Sequence, residues 1–155
     1  MPENFGKDIT ALNSLFYGSG THSKTDFSKI NTSAATALNN MFQKSKVKHI
    51  DISTWDITNV TNMKSMFDEC TEVETIIFPS KAPTNEVNVL QMFNNCHKLK
   101  YIKLPDGLIL GSNNSYFISL RPSDYKYKLV AIDGAVSVKY YGGDLSWTKI
   151  SGWGQ

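Results

Sequence analysis

The sequence predicts an α/β repeat fold: a short right-handed solenoid with parallel strands on one face and short helices on the other, closed by a β-rich cap. Two observations carry this reading. Phenylalanine recurs at positions 16, 42, 67 and 93, within Met41-Phe42, Met66-Phe67, Met92-Phe93 and a weaker Leu15-Phe16. The apolar pattern also changes from helix-like spacing before each phenylalanine to alternation after it.

The flanks repeat with the phenylalanines. Residues 26–42, DFSKINTSAATALNNMF, align without a gap on residues 51–67, DISTWDITNVTNMKSMF; Asp26 falls on Asp51, Ser28 on Ser53, Thr36 on Thr61, and the Met-Phe pairs coincide. Before the phenylalanines the apolar sets are Ile9, Leu12, Leu15, Phe16; Ala35, Leu38, Met41, Phe42; and Val60, Met63, Met66, Phe67. Offsets of 3, 3 and 1 keep one face of a two-turn helix, which is the expectation for these segments. In the fourth copy Glu86 takes the first apolar place, and the face shifts toward Val87.

After each Met-Phe pair come Val47, Ile50, Ile52; Val73, Ile76, Phe78; and Leu99, Ile102, Leu104. This apolar-x-x-apolar-x-apolar pattern is the leucine-rich-repeat signature of a short strand entered from a turn. The first copy is degenerate, with His22, Thr25 and Phe27, as suits a terminal coil. One unit cannot bury its own strand and helix faces. Coils must therefore stack, with equivalent side chains forming ladders spaced about 4.8 Å. About four coils of 25–26 residues fill residues 1–107.

Residues 50–70, IDISTWDITNVTNMKSMFDEC, resemble the BspA-like leucine-rich-repeat proteins of bacterial surfaces, whose units carry W-D-x-x-N-V-T-x-M-x-x-M-F-x-x-C. The likeness is full over residues 51–70 and diluted over 9–105, where Ile30-Asn31 stands for Trp55-Asp56. It implies a secreted or surface-displayed, extracellular module without catalytic activity, adhering to a host or cell-surface protein or glycan. The chain departs from that family in having few coils and a final segment outside the repeat.

That segment, residues 108–155, is expected to be a β-rich cap that hides the last coil. Strands are expected at 116–120, 127–132, 135–141 and 145–150, with a hairpin at Asp133-Gly134. Tyr140, Tyr141, Trp147 and Trp153 could form an aromatic platform for sugar rings or the core of this unit.

Composition narrows the partners. The net charge of +2, with 19% charged residues, gives no field suited to nucleic acid or an anionic membrane. The longest apolar stretches, Leu129 to Ile132 and Leu108 to Leu110, fall far short of the roughly 20 residues of a membrane span, so no membrane insertion is expected. Met1-Pro2-Glu3-Asn4 lacks the basic start and apolar centre of a secretion signal, which suggests a cytosolic chain or a mature fragment.

Cys70 and Cys96 share one repeat position, where the other coils carry Ser19 and Ser45, and should be ladder neighbours. They read as small packed thiols, as a disulfide, or, with His97, as the start of a metal site that lacks a fourth ligand. No metal and no cofactor is expected. The sequence shows no G-x-S-x-G elbow, phosphate loop or H-E-x-x-H motif, and the chain reads as a non-enzyme. Asn31-Thr32-Ser33, Asn59-Val60-Thr61 and Asn113-Asn114-Ser115 fit the glycosylation pattern but read first as turn and cap residues.

The concave strand face is where binding is expected. Its outward columns are Lys24, His49, Thr75, Tyr101; Asp26, Asp51, Ile77, Lys103; and Ser28, Ser53, Pro79, Pro105. His49, Asp51, Thr75, Ile77, Tyr101 and Lys103 are the candidate ligand-binding residues, with Ile77 as an apolar centre inside a polar rim. Four short strands offer a patch on the order of 300 Å², against roughly 800 Å² per partner in a standard interface. A peptide, a glycan or a weak partner fits such a face; a larger partner needs the cap or self-association of the chain. The alternative role is a structural spacer or assembly component, as in a surface layer or phage tail.

Overall fold

The computed structural model describes residues 10–20, 26–99 and 102–111, together with the main chain of 101, 130–131 and 139–140. The strands are β1 (His49–Asp51), β2 (Thr75–Ile77), β3 (Tyr101–Lys103), β4 (Ile109–Leu110), β5 (Val130–Ala131) and β6 (Lys139–Tyr140). One parallel sheet runs β1-β2-β3-β5, and β4 pairs in parallel with β6. Register follows the repeat: Ile50 lies opposite Ile76 and Ile76 opposite Ile102.

The expected α/β solenoid with helices is not what the chain forms. Among the described residues there is no helix, and the regular structure is a small parallel sheet. The segments before each phenylalanine are runs of tight turns instead. In one run Met41 N–H donates to Leu38 O (3.3 Å), Gln43 N–H to Asn40 O (3.2 Å) and Ser45 N–H to Phe42 O (2.9 Å). The alternate residues bond outward: Leu38, Asn40, Phe42 and Lys44 donate to the carbonyls of Asn62, Lys64, Met66 and Asp68, at 2.8 to 2.9 Å. Met63, Ser65, Phe67 and Glu69 donate in the same way to Asn88, Leu90, Met92 and Asn94.

Backbone conformation explains why no helix forms. Ser14, Asn40, Ser65 and Gln91 are left-handed, with φ of 54° to 61°, and so are Gly18, Lys44, Glu69 and Asn95, with φ of 58° to 64°. Each repeat therefore carries two left-handed residues four positions apart, as the third residue of a turn requires, and either would interrupt a right-handed helix. Most of these are not glycine and carry the steric cost of that region. The offsetting gain is a continuous set of bonds between repeats, which leaves few backbone groups of the run unpaired.

The helix-like spacing has the same origin. A turn bond between residues i and i+3 returns residue i+3 to the side of residue i, so offsets of three land on one side in tandem turns as they do in a helix. The residues assigned to the inner face are accordingly buried: Leu38, Met41, Phe42, Val60, Met63, Met66, Phe67, Val89, Met92 and Phe93 are all at 0% exposure. Glu86 is exposed, and Val87 is buried in its place.

The core is a column of phenylalanines. Phe16, Phe42, Phe67 and Phe93 stack with centroids 5.2, 5.4 and 5.5 Å apart and planes within 16° of parallel. Phe27 and Phe78 meet the column edge-on, and Trp55 lies beside Phe42 with its indole N–H donating to Phe27 O at 2.9 Å. In the Trp55-Asp56 pair the tryptophan fills core and the aspartate makes a turn. Asp56 Oδ1 accepts from Thr58 N–H (3.0 Å) and Oγ1–H (2.7 Å), and these bonds, the hydroxyl first, hold its carboxyl below the usual range. Asn31 does the same with Ser33, so this asparagine is a turn residue and not a helix cap.

The hairpin expected at Asp133-Gly134 lies outside the described residues; of its flanks, β5 lies beside β3 and β6 beside β4, both in parallel. One further expectation needs correction. Pro79 and Pro105, expected on the outward face, are buried, whereas Ser28 and Ser53 of the same column are exposed. Apart from 108–111 and the two strands, the C-terminal segment 108–155 lies outside the described residues, as do Ile9, His22 and Lys24.

Candidate functional site

The outward side of β1 and β2 forms an open groove of about 750 Å³. The strands contribute His49, Ile50, Asp51, Thr75 and Ile77, and the turns beside them contribute Asp26, Phe27, Ser28, Ser53 and Thr54. Alternation along each strand is the cause. In β1, Ile50 points into the core at 1% exposure, so His49 and Asp51 must face out, and both are exposed. In β2, Ile76 is the inward residue and Thr75 and Ile77 are half-buried on the groove side.

The two aspartates are fixed by local turns. Asp26 Oδ1 accepts from Ser28 N–H (2.9 Å) and Oγ–H (2.6 Å), and Asp51 Oδ1 accepts from Ser53 N–H (3.0 Å). Repetition of the Asp-x-Ser turn sets equivalent carboxylates on successive repeats. Asp51 is also in register with Ile77, and Ile77 with Lys103. His49 Nε2 lies 3.9 Å from Glu74 Oε2 in an exposed, loose contact. A second, smaller hollow of about 260 Å³ shares Ser28 and Thr54 with the groove and continues past Thr32, Ser33 and Asp56.

Of the residues expected to bind, His49, Asp51, Thr75 and Ile77 come together in this groove. Tyr101 and Lys103 lie on β3 in register with Thr75 and Ile77, and Lys103 is half-buried. Tyr140 lies on β6, while Tyr141, Trp147 and Trp153 lie outside the described residues, so the aromatic platform does too. The contributions of Phe27, Ile50 and Thr54 were not expected from sequence. The repeated Asp-x-Ser, Asp26 to Ser28 and Asp51 to Ser53, is the signal that could have pointed to this corner, because it forms a turn beside each carboxylate.

Cys70 and Cys96 are free thiols at 0% exposure. Cys70 Sγ donates to Phe42 O at 2.9 Å and Cys96 Sγ to Phe67 O at 3.1 Å, each reaching one repeat back. Burial pushes the Cys70 thiol up to about 12 and raises Cys96 well above its ordinary value. Such thiols are poor nucleophiles and poor metal ligands at neutral pH. Ser19 and Ser45, at the equivalent position, share a hydroxyl contact of 2.8 Å. Among the described residues no cluster of histidine, cysteine and carboxylate side chains could hold a metal ion, and no helix is long and apolar enough to cross a membrane.

No curated protein and no solved structure matches the chain. A family model does, over residues 5–103, the span that holds the repeats and the groove. By that match the chain belongs to the Mycoplasma protein family of unknown function DUF285.

Proposed function

We propose that this chain is a non-catalytic recognition module of a secreted or surface-displayed bacterial protein, and that its strand-face groove takes up a short protein segment or a glycan. The observation that carries this reading is the groove itself. Its volume of about 750 Å³ falls among pockets that hold small ligands, and it combines an apolar centre at Ile77 with polar groups at its edges. Of its lining residues, His49, Asp51, Thr75 and Ile77 are side chains that the alternation of β1 and β2 frees from core packing. The extracellular setting and the adhesive role rest on the resemblance to BspA-like surface proteins, with which membership of a Mycoplasma repeat family is consistent.

Size narrows the guest. A strand face of a few hundred Å² is smaller than one side of a standard protein interface, so a short linear segment or a few sugar rings fit better than a folded partner. The test is a binding screen on peptide and glycan arrays with the wild-type chain and Ile77→Ser. Ile77 is half-buried on the groove side, so its replacement should abolish binding with only a modest fall in melting temperature. Ligands retained at full strength by Ile77→Ser would place recognition elsewhere.

A further inference from the structure

We infer that the outer edge of β1 docks an extended peptide, which joins the sheet as a further parallel strand and sets one branched apolar residue beside Ile50. This rests on the recognition reading above, since the edge borders the same groove, and it names the ligand and how it is held.

The main chain leaves this edge open. β1 ends the order β1-β2-β3-β5, so among the described residues only one of its edges is paired. Ile52 N–H donates to Ile77 O (2.9 Å) and Thr75 N–H to Lys48 O (3.2 Å), both toward β2. Peptide groups alternate in direction along a strand, so those of His49 and Asp51 point the other way. The bond that closes each strand makes the gap plain. Ile52 N–H reaches Ile77 O and Phe78 N–H reaches Lys103 O (3.0 Å), but Phe27 N–H, at the equivalent place in the first repeat, does not bond Asp51 O. An unpaired edge of this kind is the template for an added strand.

The side chains set which strand fits. Ile50, Ile76 and Ile102 lie in register as the inward column, and the position before them in the repeat, residue 25, is threonine in the sequence. The first repeat thus lacks the apolar anchor that the other strands carry. The groove reaches this place: Phe27 and Ile50 line it although both are core residues, at 2% and 1% exposure. An isoleucine or valine from a peptide would extend the column by one step, about 4.8 Å from Ile50. In the parallel arrangement of this sheet, the N–H of that residue donates to His49 O and its carbonyl accepts from Asp51 N–H, while its two neighbours turn their peptide groups away. A glycan has no such alternation of donor and acceptor.

The probe is the capped heptapeptide EVETIIF, residues 72–78 of this chain, labelled and titrated with the full chain by fluorescence anisotropy. It contains the strand that already pairs with the opposite edge of β1. N-methylation of its first isoleucine should weaken binding about fivefold or more, the scale of one net hydrogen bond. N-methylation of the threonine before it should leave binding nearly unchanged, and replacing the first isoleucine by serine should abolish it. On the protein, hydrogen exchange of the Asp51 amide should slow when the peptide is bound. No binding of the probe, or equal effects of the two methylations, would overturn the inference. Array ligands that need Ile77 but are glycans, or are peptides indifferent to main-chain methylation, would overturn it while leaving the recognition reading standing. Failure of the probe together with the lack of any Ile77-dependent ligand would overturn both.

Discussion

Phe42 and Phe67 stack face to face across two consecutive repeats, with ring centroids 5.4 Å apart and planes 3° from parallel. Both rings are fully buried, and Phe67 also stacks on Phe93 at 5.5 Å and meets Phe78 edge-on at 5.7 Å. Removing the Phe67 ring takes away contacts to two neighbouring repeats at once. Phe67→Ala should cost about 3 to 5 kcal/mol, measured as the shift in a urea or guanidinium unfolding transition. A change near zero would mean that the repeats are not held together by this column.

The thiols of Cys70 and Cys96 should be silent in the native chain. Both are buried, both donate to a phenylalanine carbonyl of the preceding repeat, and burial keeps the thiolate scarce. Ellman's reagent at pH 8 should label neither until guanidinium unfolds the chain, when both react. Immediate labelling of the folded chain would contradict the burial; unreacted sulfur after unfolding would point to a disulfide.

Asp68 gives the fold an acid-side pH dependence. It is 6% exposed, and burial pushes its carboxyl above the ordinary value, partly offset by Nδ2–H of Asn94 and Nε2–H of Gln43, each donating at 3.0 Å. The sign follows from the raised value. The folded chain holds this proton more tightly than the unfolded chain, so the stability linked to it is present below the unfolded pKa of about 4 and is lost as pH rises through the folded value. Asp68→Asn should remove that slope. The stability of wild type relative to Asp68→Asn, followed by thermal melts, should fall as pH rises from about 3. A difference that does not change with pH would contradict it.

Much of the molecule was legible in the sequence because burial follows spacing. The positions of Met41-Phe42 and its copies fixed which side chains face inward, and Ile50, Ile76 and Ile102 marked the strands in their observed register. The backbone between them was misread, because tandem turns and a helix share offsets of three. Gly18 and Asn40 hint at left-handed positions, but Lys44, Glu69 and Gln91 adopt φ near 60° without being residues that favour it. There the bonds between repeats decide the conformation, and these form only once the repeats stack. The groove was half legible for a similar reason. His49, Asp51, Thr75 and Ile77 follow from strand alternation, whereas Ile50 and Phe27 are core side chains and Thr54 is a turn residue, none of which alternation assigns to the groove.

The turn-built repeat is tested most directly at Glu69, whose φ is 58°. Glu69→Gly and Glu69→Ala lose the same side chain, including its 3.9 Å contact with Lys44, so their difference isolates the backbone. A left-handed position favours glycine over alanine by about 1 kcal/mol or more, whereas a helix interior favours alanine by about 1 kcal/mol. Equilibrium denaturation of the two variants therefore gives opposite signs for the two backbones. Tandem turns predict that Glu69→Gly is the more stable; a more stable Glu69→Ala would restore the helix and contradict the repeat described here.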